Sequence, residues 1–240
     1  MTTTFDVIMG EFLVDLEAIS DLVTLVERGG GSAKSRVASV NSATLLLAAT
    51  FEEFIREMGR QYARELVSRT QDPKRLPRKL TGTAWKRTLE GLARAKVDTG
   101  GTQAPLAHIA NGARASFEAI CKFIEGDTSQ NIYHDLVHNE NNMRPDQINA
   151  IFKICDLQDI CAKISHHELM KIFYAEEDPN KVHGRLIVSL NDFMEKRNAI
   201  THALNPGSSV SAGQFLEDAD LLKVVGLSLA SNLPTHLPVT

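Results

Sequence analysis

The chain has 240 residues, a hydrophobic content of 43% and a formal net charge of −4, which are typical of a soluble globular protein. Its richest apolar run, Ala43 to Phe51, is too short to span a membrane, and its N-terminus lacks the basic and apolar parts of a secretory signal. The three cysteines lack zinc-finger spacing and indicate reduced thiols in a cytosol rather than a disulfide framework. We therefore expect a cytoplasmic protein in which Cys155 and Cys161 are buried helix-packing residues.

Apolar residues recur at the spacing of a helix along most of the chain, and no alternating β-branched run predicts a strand. Glycine, proline and polar stretches divide this pattern into separate helices. The predicted helices cover residues 5–27, 35–68, 83–96, 106–125 (interrupted at 111–112), 145–155, 156–163, a segment opened by a capping box at 165–168, 181–204 and 212–233. Residues 72–77 are predicted as a proline-bearing basic loop, and residues 126–145 as a polar loop with room for one helical turn.

Polar residues at two predicted helix starts have the arrangement of helix caps. The run from Ser165 to Glu168 has the spacing of a capping box, and Ser211 can cap the last helix. We predict one all-α domain over residues 1–240, in which the first two and the last two helices form the core.

The most informative stretch lies near the end of the predicted helix 181–204, where Arg197, Asn198 and His202 fall within six residues. Arginine can clamp an anion, the asparagine amide forms hydrogen bonds, and histidine can carry a proton near neutral pH. Asn198 and His202 share a helix face, whereas Arg197 points about 140° away from His202. Such a broad arc favours a site whose other wall comes from the same helix of a second copy, and hence a dimer.

Three segments carry a resemblance to a known family: residues 45–56, residues 141–152 and the signature segment 191–203. Together they resemble the RiboL-PSP branch of the HEPN superfamily, whose signature is an arginine, often followed by asparagine, and a histidine a few residues later. The resemblance implies a helical bundle of the HEPN type with additional helices, and a dimer formed through the signature helices. It also implies, for many members, metal-independent endoribonuclease activity in toxin–antitoxin or antiviral defence systems, while some members have lost catalysis and act as binding modules.

One departure from the family pattern follows the signature histidine. Many relatives have glycine directly after it and an aromatic residue soon after, whereas this chain has Ala203 and Leu204. A tyrosine at this position is therefore not expected to contribute to the site, whereas the arginine–histidine pair is intact.

The three signature residues fit the chemistry of RNA cleavage by the RNA's own 2′-OH. His202 is the candidate for proton transfer, Arg197 for binding the non-bridging phosphate oxygens, and Asn198 for holding the histidine ring or a phosphate oxygen. The expected products are a 2′,3′-cyclic phosphate and a 5′-OH. The alternative is structural: Arg197 pairs with a carboxylate such as Glu195 or Asp192, and the histidine caps the end of its helix.

Positive charge is concentrated between residues 72 and 96, although the whole chain is negative. Such a cluster can hold phosphate groups, and the alternative is a solvated helix face with its loop. The candidate RNA-binding residues are Lys74, Arg75, Arg78 and Lys79, together with Lys196 beside the signature.

A second group of polar residues has the spacing of a metal site. His134 and His138 are four residues apart, with Asp135 and Glu140 beside them, and two histidines at this spacing can hold zinc on a helix face. No glutamate follows His134 as a metalloprotease helix requires, so we interpret the stretch as a polar surface loop. We expect neither a metal nor another cofactor.

Two functions from different classes remain open at the level of the sequence. The first is a metal-independent endoribonuclease that acts as a toxin or an antiviral defence effector. The second is a non-catalytic helical module that binds RNA or a protein in such a system. The expected partners are RNA, a second copy of the chain, and an antitoxin or defence-system protein, with no role for a membrane.

Overall fold

The computed structural model describes residues 3–29, 31–70, 72–94, 104–137, 142–202 and 210–239, except for the side chains of residues 94 and 104–111. Within these ranges the chain forms ten α-helices and two 3-10 turns and no strand, which confirms the all-α prediction. The helices are α1 (Thr4–Arg28), α2 (Ala33–Arg69), α3 (Arg78–Arg94), α4 (Ala104–Ile124), α5 (Tyr133–Leu136), α6 (Pro145–Lys153), α7 (Ile160–Ile164), α8 (Glu168–Tyr174), α9 (Pro179–His202) and α10 (Ala212–Asn232). The 3-10 turns are Pro73–Arg75 and Leu233–His236.

Polar caps begin the two long N-terminal helices. The Thr3 hydroxyl accepts the N–H of Asp6 at 3.2 Å, and the Asp6 carboxylate accepts the N–H of Thr3 at 2.7 Å, which completes a capping box for α1. The Ser32 hydroxyl caps α2. α1 then packs its apolar face against α2 and α10. Gly226 of α10 permits a close approach, because a Cβ there would lie 2.9 Å from the sulfur of Met9.

The signature lies at the end of a helix that is anchored by its earlier turns. The buried residues of α9 recur every three or four positions and face α2, α6, α7 and α8. They are Val182, Leu186, Leu190, Phe193 and Met194. After Met194, every side chain of α9 is at least partly accessible to solvent. The apolar stripe therefore fixes the direction of α9 and leaves its last two turns at the surface.

α6 lies directly on α2 next to this region. Gly59 of α2 faces Ile151 of α6 so closely that a Cβ on the glycine would overlap the side chain of Ile151. Only a glycine allows the two helices to touch here without displacement. This contact places the segment before α6, which includes Asn142, beside the middle of α2.

The predictions for the helices 83–96 and 106–125 were each wrong in one respect. α3 begins directly after Pro77, five residues earlier than predicted, and the carbonyl of that proline accepts the N–H groups of Leu80 and Thr81. Leu80 is buried, so packing extends the helix to its basic start. α4 runs through residues 111–112 without interruption, because a glycine inside a helix costs only about 1 kcal/mol.

The predicted helix 156–163 is reduced to α7. Asp156 and Asp159 have positive φ angles of 59° and 43°, and such residues end a right-handed helix. The predicted cap at Ser165 was also wrong. Its hydroxyl donates back to the carbonyl of Cys161 at 2.8 Å, and α8 is capped instead by His167, whose Nδ1 accepts the N–H of Leu169.

Two of the cysteines pack in the core as predicted. Cys155 and Cys161 are both buried, and burial raises the pKa of each thiol to about 12. Neither is therefore a reactive thiolate near neutral pH. Among the helices of the described ranges, none is long and apolar enough to cross a membrane.

Candidate functional site

Arg197 and Asn198 meet at the surface end of α9. The Nη1 of Arg197 donates to the side-chain oxygen of Asn198 at 3.0 Å, so the long arginine arm bends along its own helix. About a quarter of the Arg197 side chain (27%) is exposed, so the residue remains accessible from solvent. The carbonyl of Arg197 also accepts the Thr201 hydroxyl, a bond that supports this last turn of the helix.

Arg197 also faces a carboxylate, but this carboxylate belongs to neither Glu195 nor Asp192. Its Nη2 lies 3.7 Å from Oε1 of Glu52, in the middle of α2. Glu195 lies 3.5 Å from Arg144 instead, and Asp192 is exposed. The ion pair therefore joins α9 to α2 rather than two turns of α9.

Glu52 connects three parts of the molecule. Its side chain is only 6% exposed, and its Oε1 accepts the backbone N–H of Asn142 at 2.7 Å as well as facing Arg197. Asn142 has a φ of 64°, a left-handed conformation that asparagine tolerates better than most residues. A buried carboxylate is costly unless it is paired, and here one cation and one N–H donor compensate it.

No sequence motif assigns a role to Glu52. The only signal was its position between Phe51 and Phe54, because a carboxylate is unusual on an apolar stretch of a long helix. The pattern of α2 could show that such a residue must find a partner. It could not show which one, since both partners lie far away in the chain.

His202 is exposed at the end of α9. It makes no hydrogen bond or ion pair with any residue that the structure describes, and Ala203 and Leu204 lie outside the described ranges. The structure thus brings two of the three signature residues into contact and places the histidine one turn further along the same helix, facing solvent.

Lys196 is half-buried and paired with a carboxylate of its own chain. Its ammonium lies 2.8 and 3.0 Å from the two carboxylate oxygens of Asp218 on α10. Asp218 is buried, and burial raises the pKa of its carboxyl group against the opposing effect of the Lys196 bond. This ion pair ties the signature helix α9 to α10. It also neutralises the charge of Lys196, which we had predicted to bind RNA.

The other candidate RNA-binding residues are exposed. Lys74, Arg75, Arg78 and Lys79, which we call the basic segment, lie in the 3-10 turn after α2 and in the first turn of α3. None of them forms an ion pair within the described residues. Their charges therefore remain available to a ligand.

The stretch around His134 and His138, which we interpreted as a polar loop rather than a zinc site, lies partly within the described residues. His134 lies in the single turn α5, whereas His138 and Glu140 lie outside the described residues. Asp135 accepts a hydrogen bond from the Thr88 hydroxyl at 3.3 Å. Among the described residues, no group of three or more histidine, cysteine or acidic side chains can hold a metal ion.

Comparison with known proteins adds a family to this geometry. The family model described as RiboL-PSP-HEPN matches residues 11–233, which include α2, α6 and the whole of α9. No curated protein and no solved structure matches the chain. HEPN domains generally act as RNases or nucleotide-binding modules, bind RNA and often dimerise.

Proposed function

Because the chain belongs to the RiboL-PSP-type HEPN family, we propose that it is an endoribonuclease that cleaves RNA without a metal ion. The observation that carries this proposal is the setting of Arg197. The buried Glu52 and the neighbouring Asn198 hold its guanidinium at the exposed end of α9. A cation that is oriented by the protein and still open to solvent is suited to clamp a phosphate group.

In the proposed reaction, the 2′-oxygen of the RNA forms a bond to the adjacent phosphorus while the bond to the 5′-oxygen breaks. His202 accepts the proton of the 2′-OH, and a protonated histidine delivers a proton to the leaving 5′-oxygen. Arg197 stabilises the charge on the non-bridging oxygens with the N–H donors that Asn198 and Glu52 leave free. The products are a 2′,3′-cyclic phosphate and a 5′-OH.

The two proton transfers require a base and an acid, and we propose that two copies of the chain supply them. His202 is exposed and is not oriented by any described residue of its own chain. A second signature helix across a two-fold axis would bring a second histidine to the same phosphate. The proposed homodimer therefore completes the site.

The basic segment is proposed as a further contact for RNA, because its four cations are exposed and unpaired within the described residues. Lys196 is the exception among the candidates. Its ion pair with Asp218 supports a structural role in anchoring α9 on α10. We also propose that the whole chain is a single domain and that it acts in a toxin–antitoxin or antiviral defence system. Its partner would be an antitoxin or another defence protein. The family resemblance supports this role.

The alternative is a non-catalytic module that binds RNA or a protein in such a system. One observation favours it: no described residue orients the ring of His202, although a general base needs a defined position. The two proposals differ in whether the bond from phosphorus to the 5′-oxygen is cut.

The deciding experiment is incubation of the purified protein with RNA in excess chelator. We expect cleavage that leaves 2′,3′-cyclic phosphate ends, and we expect His202→Ala to slow it by roughly 10²- to 10⁴-fold. Arg197→Ala should slow it by roughly 10²- to 10³-fold, in the range of losing a donor to a developing oxyanion. The matched control is His166→Ala, which removes another exposed histidine and should leave the rate unchanged.

Two results would contradict the proposal in different ways. RNA binding without any cleavage by the wild-type protein would support the non-catalytic module. Cleavage that stops in chelator and returns with a divalent ion would show that the reaction needs a metal.

A further inference from the structure

The basic segment lies between two clefts. One cleft, of about 740 Å³, is lined by the end of α2, by Arg75 and by the chain end around His236. The other, of about 520 Å³, is lined by Lys74 and Arg78 and by residues 123–126 at the end of α4. The segment is therefore a ridge with cations on both sides.

The chemistry of the two clefts fits unpaired nucleotides. Each combines a cation with apolar side chains, namely Leu66 and Pro238 in the first cleft and Phe123 and Ile124 in the second. Acids are present as well: Asp156 lines the first cleft, Glu125 lines the second, and Asp72 lines both. One of its carboxylate oxygens, however, accepts the N–H of Lys74 at 3.0 Å. Cations that follow a backbone beside apolar walls for bases are typical of sites for single-stranded nucleic acid.

The position of the ridge relative to the signature follows from α2, one long helix that reaches both places. Glu52, which faces Arg197, is the reference point, and the first cleft begins at Tyr62 and ends at Thr70. At 1.5 Å per residue these positions lie roughly 15 to 27 Å along the helix axis from Glu52. One phosphate group cannot contact both places, because this separation exceeds the reach of any side chain.

The two places also lie on one side of α2. Thr70 follows Glu52 by 18 residues, which is about five full turns, so both point in nearly the same direction. Leu66, Tyr62 and Arg69 deviate from that direction by about 40°, 80° and 100°, so the first cleft begins on the Glu52 side of α2 and extends around the helix. Between them α6 covers α2 at Gly59, so a strand that joins the two places passes over or beside α6.

We propose that the chain binds one RNA strand at two places at once, with the cleaved phosphate at Arg197 and the backbone several nucleotides away at the basic segment. This inference rests on the proposed RNA-cleaving function and adds the class of substrate. At 3.4 Å per stacked nucleotide, the separation corresponds to roughly four to eight nucleotides. The substrate is therefore single-stranded RNA of about eight nucleotides or more.

The test compares a 3-nucleotide and a 12-nucleotide RNA that share the same cleavable step. The short RNA reaches only the signature, whereas the long RNA reaches both places. We expect kcat/KM to be at least tenfold higher for the 12-mer, and the double variant Lys74→Ala with Arg78→Ala to remove most of that difference. The same variant should flatten the salt dependence of 12-mer binding by about 1.4 in log–log slope, at about 0.7 for each lost phosphate contact.

A matched control is available at the other end of α2. Lys34 and Arg36 lie 18 and 16 residues before Glu52, so they are at a similar distance in the opposite direction. Replacing both with alanine makes the same change in charge and should leave the preference for the 12-mer intact. An equal loss in this control would show only a general effect of net charge, which contradicts the inference.

Binding of the same RNAs to the His202→Ala protein separates the inference from the proposed catalysis. Tighter binding of the 12-mer that depends on Lys74 and Arg78 supports the second contact even if no RNA is cut. Equal kcat/KM for the two lengths in an active enzyme overturns the second contact and leaves the ribonuclease standing. A duplex that binds as tightly as the single strand contradicts the assigned substrate class.

Discussion

Glu52 shows how one side chain can depend on distant parts of the chain. It is almost completely buried, yet it carries a charge that two other segments compensate: Arg197 from α9 and the backbone N–H of Asn142. A guanidinium beside a fixed carboxylate loses less freedom when it binds a phosphate than one that moves in solvent. We therefore regard Glu52 as a positioning residue for the proposed site.

The substitution Glu52→Gln tests this role. Glutamine keeps an oxygen that can accept the N–H of Asn142, but it removes the charge that faces Arg197. We expect RNA cleavage to fall about tenfold, the scale of roughly 1.4 kcal/mol in the transition state, while the free energy of unfolding changes little. The measurements are initial rates of cleavage and denaturant unfolding of the same preparations.

A matched control is the neighbouring Glu53→Gln. Glu53 pairs with Arg56 and Arg60, away from the signature, and these cations lower the pKa of its carboxyl group against the effect of burial. This variant should cleave RNA at the wild-type rate. Equal losses in both variants would assign the effect to the general charge of α2 rather than to the orientation of Arg197.

At the scale of elements, Gly59 sets how closely α6 approaches α2. Gly59 is where the two helices touch, and Asn142 lies three residues before the start of α6. The position of α6 therefore determines whether the N–H of Asn142 reaches Glu52. Packing between two helices outside the signature thus supports the arrangement around Arg197.

Gly59→Ala should separate α6 from α2. The new methyl group meets the β-branched side chain of Ile151, which has little rotameric freedom to move away. We expect a loss of about 1–3 kcal/mol in the free energy of unfolding, as is typical of an overpacked core, measured by denaturant titration.

Gly184→Ala in α9 is the control, because nothing lies within 4 Å of a Cβ at that position. There the substitution should stabilise the protein by about 0.5–1 kcal/mol through the helix propensity of alanine. A neutral or stabilising effect at Gly59 would show that α6 can shift freely, and would remove this link to Glu52.

At the scale of the whole molecule, the signature lies where a second copy can reach it. The apolar stripe of α9 ends at Met194, and the two turns beyond it are open to solvent. Arg197 is anchored by its own chain, whereas His202 is not. This difference fits a proposed site in which the clamp is prepared within each chain and the proton transfers are completed between chains.

A mixed dimer tests whether the proposed site is shared. One subunit is wild type, and the other carries Arg197→Ala and His202→Ala. If the proposed site needs both chains, the rate should fall by a factor of about ten or more, as is typical of losing a general acid or base. Two independent sites would leave about half of the wild-type rate, since one site remains intact. The measurement is RNA cleavage by separated heterodimers, and half activity would reject the shared site.

The sequence by itself determined the fold class and the long helices. α1, α2 and α10 begin and end within a few residues of the predicted bounds, because helical periodicity and caps such as Ser211 act over a few neighbouring residues. The short elements were less predictable. The left-handed conformations of Asp156 and Asp159 interrupt a pattern that otherwise reads as helix.

Only the tertiary structure decided what surrounds the signature. The sequence predicted that Arg197 and Asn198 belong together, since neighbours on one helix are close in any fold. It could not predict that Arg197 faces Glu52 and that Lys196 pairs with Asp218, because those contacts depend on how α9 packs against α2 and α10. Hydrophobic burial, which has no direction, brings these helices together, and the buried charges then pair with whatever partners the packing places within reach.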